Sequence, residues 1–164
     1  MVVLGIDPGY AITGYGLVQG AGAGIKCVAY GVIRTDAGDS LPRRLSVIHE
    51  RVASVIAEFK PDTGAIEEVF FSRNAKTAIG VSHGRGVAML AAYGCGMELR
   101  EYTPMQVKQA VVGYGNADKG QVQRMVRALL ALEAIPKPDD AADALAVAIC
   151  HYHSHGMARL GAGR

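Results

Sequence analysis

Up to Arg34 the apolar positions come in short blocks separated by glycines and turn residues, and beyond it they fall into helical spacing. Val2 to Ile6 is a β-branched-rich run ended by Asp7-Pro8-Gly9, the pattern of a buried strand entering a turn. Thr13 to Gln19 predicts a second strand, Gly20 to Gly24 a flexible hairpin connection, and Ile25 to Arg34 a third strand, together an antiparallel meander. Ser40-Leu41-Pro42 opens a helix in which Leu45, Ile48, Val52, Val55, Ile56 and Phe59 recur at helical spacing down to Lys60, and Pro61-Asp62 stops it. Thr63 to Val69 predicts a strand. Because it follows a helix, it is expected to run parallel to the first. Asn74 is placed to cap a long helix reaching about Tyr93. Glu98 to Tyr102 reads as a short strand, and Pro104 starts a helix through about Val112. After the loop Gly113-Tyr114-Gly115-Asn116, Asn116 is placed to cap a helix to Leu132, and Asp139 to cap the last one to about His153. The tail from Ser154, with Gly156, Gly161 and Gly163, reads as frayed. The expectation is one α/β domain over residues 1–153 and a flexible C-terminal tail over 154–164.

The chain has 164 residues, half of them hydrophobic, enough for a sizeable core. No apolar run approaches the roughly 18 residues of a membrane span. Met1 to Asp7 lacks the basic start of a signal peptide, so a protein without membrane association, in the cytoplasm, is expected. Cys27, Cys95 and Cys150 are far apart and form no CxxC pair, which argues against structural zinc or a disulfide framework. A net charge of +2 says little by itself. Its distribution says more. Arg73, Lys76, Arg85, Arg100, Lys108, Lys119, Arg124 and Arg127 outnumber Glu98, Glu101 and Asp118 in the middle of the chain. A basic surface beside an acidic pocket suits a polyanionic substrate.

Four acids are candidates for that pocket. Asp7 ends a buried strand, where an ionised carboxylate is costly without a partner, although turn aspartates also bond the following backbone. Glu67 lies in Gly64-Ala65-Ile66-Glu67-Glu68-Val69-Phe70, where alternation sends Glu67 and Glu68 to opposite faces of the strand. Asp140 and Asp143 are three apart and so share a helix face. Asp140 also fits the ordinary preference for acids in a first helical turn. Asp143 does not: it sits one turn in, on a helix of Ala, Leu and Val. Acids gathered at one site repel one another, and a divalent cation removes that repulsion. Oxygen-only ligands favour Mg²⁺ or Mn²⁺. Two such ions about 4 Å apart can activate a water and stabilise a leaving oxygen in phosphodiester hydrolysis.

Gly5-Ile6-Asp7-Pro8-Gly9 with Thr13-Gly14-Tyr15-Gly16, Ile66 to Phe70, Val107-Lys108-Gln109-Ala110-Val111-Val112-Gly113, and Asp140-Ala141-Ala142-Asp143-Ala144-Leu145-Ala146 occur in the order that resembles the RuvC family of Holliday-junction resolvases, from Met1 to about His153. The resemblance implies a ribonuclease-H-like fold, with a mixed five-stranded sheet flanked by helices. It implies a homodimer that binds four-way junction DNA and nicks two opposing strands symmetrically. It also implies two Mg²⁺ per active site, with Mn²⁺ able to substitute, and work beside a branch-migration complex of the RuvA and RuvB type in the bacterial cytoplasm, at the nucleoid. The family's catalytic and metal-binding acids fall on Asp7, Glu67, Asp140 and Asp143. Lys119 is placed to neutralise the scissile phosphate and Lys108 to grip backbone phosphate. Phe70 or Phe71 is placed to stack on junction bases, with Arg73, Asn74 and Lys76 alongside as DNA contacts.

Gly80, Gly84 and Gly86 each cost roughly 1 kcal/mol in a helix interior, which points to close approach of another backbone, from the sheet or from a second subunit. His151, His153 and His155 are read as solvated rather than as a metal cluster. Rival readings are an actin-like ATPase fragment of the same superfold and a non-catalytic junction-binding protein.

Overall fold

The computed structural model describes residues 1–22, 24–68 and 75–161, with 75–77 and 156–161 described by backbone alone. Strands β1 (Val2–Asp7), β2 (Ile12–Ala21) and β3 (Gly24–Arg34) form the expected meander. Helix α1 (Leu41–Phe59) returns the chain to β4 (Thr63–Glu67), which lies parallel to β1. Helix α2 (Ala75–Gly94) leads to β5 (Leu99–Tyr102), parallel to β4. Helices α3 (Pro104–Val112), α4 (Lys119–Leu129) and α5 (Asp139–Gly161) complete the chain. The sheet order is β3-β2-β1-β4-β5, with β1 in the middle.

Helices cover both faces, and residue parity along β1 assigns each side chain to one of them. Leu4 and Ile6 pack with Ile48, Val52 and Ala88 of α1 and α2. Val3 packs on the other face with Val126, Leu145 and Ile149 of α4 and α5. In β4, Ile66 joins the first cluster and Ala65 the second. Asp7 and Glu67 therefore share the face covered by α5, and Glu68 is turned from it.

Helix α5 lies unusually close to the sheet. A Cβ on Gly5 would fall 2.2 Å from the carbonyl oxygen of Ala144, and one on Gly14 would fall 2.0 Å from that of Asp140. Glycines in the strands and alanines at 141, 144 and 148 of the helix make this approach possible.

Strand ends shift by one or two residues, and the helices differ from expectation at three places. Helix α4 is capped by Asp118, not Asn116, because Asp118 and Gln121 form reciprocal 2.8 Å side chain-to-backbone bonds. It ends at Leu129, short of Leu132. Helix α5 continues through Gly161, past the expected end at His153.

Candidate active site

The acids meet at the C-terminal ends of two adjacent parallel strands. Ile6 pairs with Ile66, so Asp7 and Glu67 emerge side by side. Asp7 is registered with Gly14 on β2, and the missing side chain there admits the first turn of α5, with Asp140 and, one turn on, Asp143.

The charges of the four acids act on one another. Burial pushes Asp7 up to about 8, and the charges of Glu67, Asp143 and Asp140 push in the same direction. Burial and then Asp143 raise Glu67 to about 7, against the pull of Lys108 and Lys119. Burial also raises Asp143, opposed by its bond to Lys119. Such shifts belong to carboxyls that folding has buried and gathered against their mutual repulsion.

Lys119, the first residue of α4, answers part of this repulsion. Its Nζ lies 2.9 Å from Asp143 and 3.6 Å from Asp139. Its own burial would lower its basicity, but the hydrogen bond and charge of Asp143, with Asp139 and Asp7, raise it. Lys108 joins Lys119, Glu67 and Asp143 in lining a 240 Å³ cleft between α3, α4 and α5.

The donor set is all carboxylate oxygen, which fits Mg²⁺ or Mn²⁺. Among the described residues no three metal-binding side chains are already drawn together at ligand spacing.

Two arrangements were missed in the sequence. The turn after Asp7 is clamped from outside: the Arg44 guanidinium of α1 stacks 3.6 Å over the Tyr10 ring, contacts its hydroxyl, and donates to Thr35 Oγ1 at 2.9 Å. The Thr35 hydroxyl in turn donates to the Tyr10 carbonyl at 2.8 Å. The signal was Arg44 itself, a cation falling on the apolar face of a helix. On the far side, Arg85 of α2 contacts the Glu101 carboxylate and the backbone carbonyl of Glu67. His151 is buried. Its Nε2 lies 2.8 Å from Thr63 Oγ1 and its Nδ1 lies 2.9 Å from the Tyr102 hydroxyl. It is thus not the solvated residue expected, but a clip between α5 and the sheet.

Phe70, Phe71, Arg73 and Asn74 lie outside the described residues, as does the side chain of Lys76. The α2 glycines divide. Gly84 abuts the backbone of Gly9 and Tyr10, and Gly80 abuts the Tyr10 ring, so the close neighbour is the turn after β1. A Cβ on Gly86 would meet only open space.

The model of the family described as crossover junction endodeoxyribonuclease RuvC matches residues 3–151. The chain belongs to the RuvC family. A crossover junction endodeoxyribonuclease RuvC of Ruminiclostridium cellulolyticum is 56% identical over 160 residues, covering 98% of this chain and 96% of the relative. One from Rubrobacter xylanophilus is 54% identical over 164 residues, covering 99% and 92%. Among solved structures, T. thermophilus RuvC in complex with a Holliday junction substrate superposes with a TM-score of 0.91 at 40% identity, covering 96% of each chain. The yeast mitochondrial resolvase Ydc2, at 15% identity and a TM-score of 0.67, shares the fold. This RuvC-family chain is accordingly a nuclease of crossover junctions with the expected ribonuclease-H-like architecture, and a full-length match of this kind displaces the actin-like ATPase reading.

Proposed function

We propose that the chain resolves four-way DNA junctions as a homodimer by symmetric paired nicks, using Mg²⁺ held by Asp7, Glu67, Asp140 and Asp143. The observation that carries this reading is the convergence of Asp7 and Glu67, side by side at the ends of β1 and β4, with Asp140 and Asp143 on the first turns of α5 and Lys119 bonded to Asp143. A bound divalent ion supplies an activated water and stabilises the leaving oxygen. The protein's own part is to hold the acids on rigid elements, bring Lys119 to the negative charge of the scissile phosphate, and let Lys108 grip the neighbouring backbone. Mn²⁺ meets the same donor preferences. Branch-migration proteins of the RuvA and RuvB type are the natural suppliers of the junction.

The homodimer is supported by the outer face of α2. Ile79, Leu90 and Tyr93 are 57%, 61% and 73% exposed there, at helical spacing with Gly86. An apolar row of this kind suits a two-fold contact, and a four-way junction offers two-fold symmetry to match.

The test compares a synthetic four-way junction with plain duplex, each with Mg²⁺ and with EDTA. Paired symmetric nicks on the junction in Mg²⁺ alone are expected. Equal cutting of duplex would sink junction selectivity, and equal cutting in EDTA would sink the metal dependence.

A further inference from the structure

Lys119 stands between two carboxylates of α5. Its Nζ lies 2.9 Å from Asp143 Oδ2 and 3.6 Å from Asp139 Oδ2. The two acids are one turn apart on the same face of the helix, but they keep different company. Asp143 lines the cleft with Glu67 and Lys108. Asp139 does not line that cleft, and its close partners are cations. Lys137 Nζ donates to its Oδ1 at 2.8 Å, and Lys119 faces its Oδ2.

Asp139 does not do what its place in the sequence predicts. An acid that caps a helix accepts from a backbone N–H of the first turn. Among the described residues no backbone N–H bonds Asp139, and each of its oxygens is given to a lysine. A third group approaches the same carboxyl. Gln123 lies one turn after Lys119 on α4, and its side chain is buried. Lys137 first, then Gln123 and Lys119, hold the Asp139 carboxyl below its ordinary range. The Gln123 Nε2 is buried close to it without a completed hydrogen bond. An open buried donor is costly, and an ionised Asp139 is the acceptor that relieves it.

A lysine ammonium is a point charge on a flexible stem, and a single partner leaves it free to swing. In the function proposed above, Asp143 also gives oxygen to the divalent ion, which weakens its hold on the ammonium. Asp139 faces away from the cleft and is under no such claim. Catalytic groups lose much of their effect when displaced by about 1 Å, so the partner that stays with Lys119 matters to the rate.

We infer that Asp139 is a positioning residue, which seats the Lys119 ammonium at the edge of the cleft, beside the scissile phosphate, while Asp143 serves the divalent ion. The inference deepens the nuclease reading above and rests on it. Lys137 and Gln123 hold Asp139 in turn.

The Asp139 side chain is 44% exposed, so Asp139→Asn should fold normally. The first measurement is Mn²⁺ binding to the DNA-free chain, read from the EPR signal of the free ion. Without its seat Lys119 settles on Asp143 and competes with the ion, so Asp139→Asn should weaken Mn²⁺ binding about fivefold, the scale of one exposed ion pair. Lys119→Met removes the competitor, and in that background Asp139→Asn should change Mn²⁺ binding by less than about twofold. An equal loss in both backgrounds would make Asp139 a partner of the ion itself and overturn the seat, as would an unchanged affinity in Asp139→Asn. The second measurement is single-turnover cleavage of a four-way junction at saturating Mg²⁺. The rate should fall about fivefold in Asp139→Asn with junction affinity within about twofold, and Asp139→Glu should recover most of it. A wild-type rate in Asp139→Asn overturns the seat alone. Absence of junction cleavage by wild type overturns the nuclease reading and, with it, the role of the seat.

Discussion

At pH 7 the folded chain holds Asp7 with a pKa pushed up to about 8 and Glu67 with one pushed up to about 7, against 3.8 and 4.5 for ordinary carboxylates. Both folded values are raised, so the folded state binds protons more tightly than the unfolded chain. The stability this confers is complete below pH 4 and is lost as pH rises through 7 to 8. In EDTA the melting temperature should therefore fall between pH 5 and 8. Asp7→Asn should flatten that fall and raise stability at pH 8 by about 1–3 kcal/mol, since each pKa unit is worth 1.36 kcal/mol. Cleavage should vanish in the same variant while junction binding persists. A wild-type melting curve indifferent to pH would remove the basis of this argument. His151 has the opposite sign. Burial, with the charges of His155 and Arg100, lowers it from 6.5 to about 4, so the stability of the neutral ring is present above pH 6.5 and is lost as pH falls toward 4. His151→Ala should cost about 1–3 kcal/mol at pH 7, because Thr63 and the Tyr102 hydroxyl lose their shared partner. That cost should shrink at pH 4.5 in calorimetric scans of the two proteins side by side.

At the scale of elements, the approach of α5 to the sheet decides where two of the four acids stand. Gly14→Ala would put a Cβ 2.0 Å from the Asp140 carbonyl, so the first turn of α5 must move away from Asp7. Overpacking of this kind costs about 1–3 kcal/mol, and cleavage should fall further than melting temperature, because catalytic geometry is lost before the core is. Cleavage at the wild-type rate would show that the helix start is not fixed by this contact. The same packing marks what the sequence made legible and what it did not. Strand and helix order followed from apolar spacing, and Asp143 stood out as an acid on an apolar helix. The choice between Glu67 and Glu68 needed the parity of Ala65 and Ile66 against neighbouring strands, which no single strand contains. The α4 cap was misplaced although Asp118-x-x-Gln121 carried the capping-box spacing, because the loop offered Asn116 first. The clamp of Tyr10 by Arg44 and Thr35 joins residues far apart in sequence, and only the packing of α1 against the meander brings them together.

At the scale of the whole molecule, α2 has two faces with different duties. Its inner face meets the turn after β1 through Gly80 and Gly84 and reaches the end of β4 through Arg85. Its outer face presents Ile79, Leu90 and Tyr93 to solvent in the single chain. A substrate with two equivalent strands to cut calls for two active sites in fixed relation, and the proposed isologous contact between two α2 helices would supply that relation without further components. Leu90→Glu tests it. At 61% exposure the substitution touches little of the core, so the melting temperature of the folded chain should change by less than the equivalent of about 0.5 kcal/mol. A charge in the middle of an apolar two-fold contact meets its own copy, so sedimentation should show monomers where the wild type shows dimers. On a supercoiled plasmid with an extruded cruciform, the wild type should give linear product by two nicks within one binding event. The variant should give nicked circles first, since its second cut waits for a second encounter. Dimers of Leu90→Glu with unchanged linear product would place the contact between subunits on another face of the molecule.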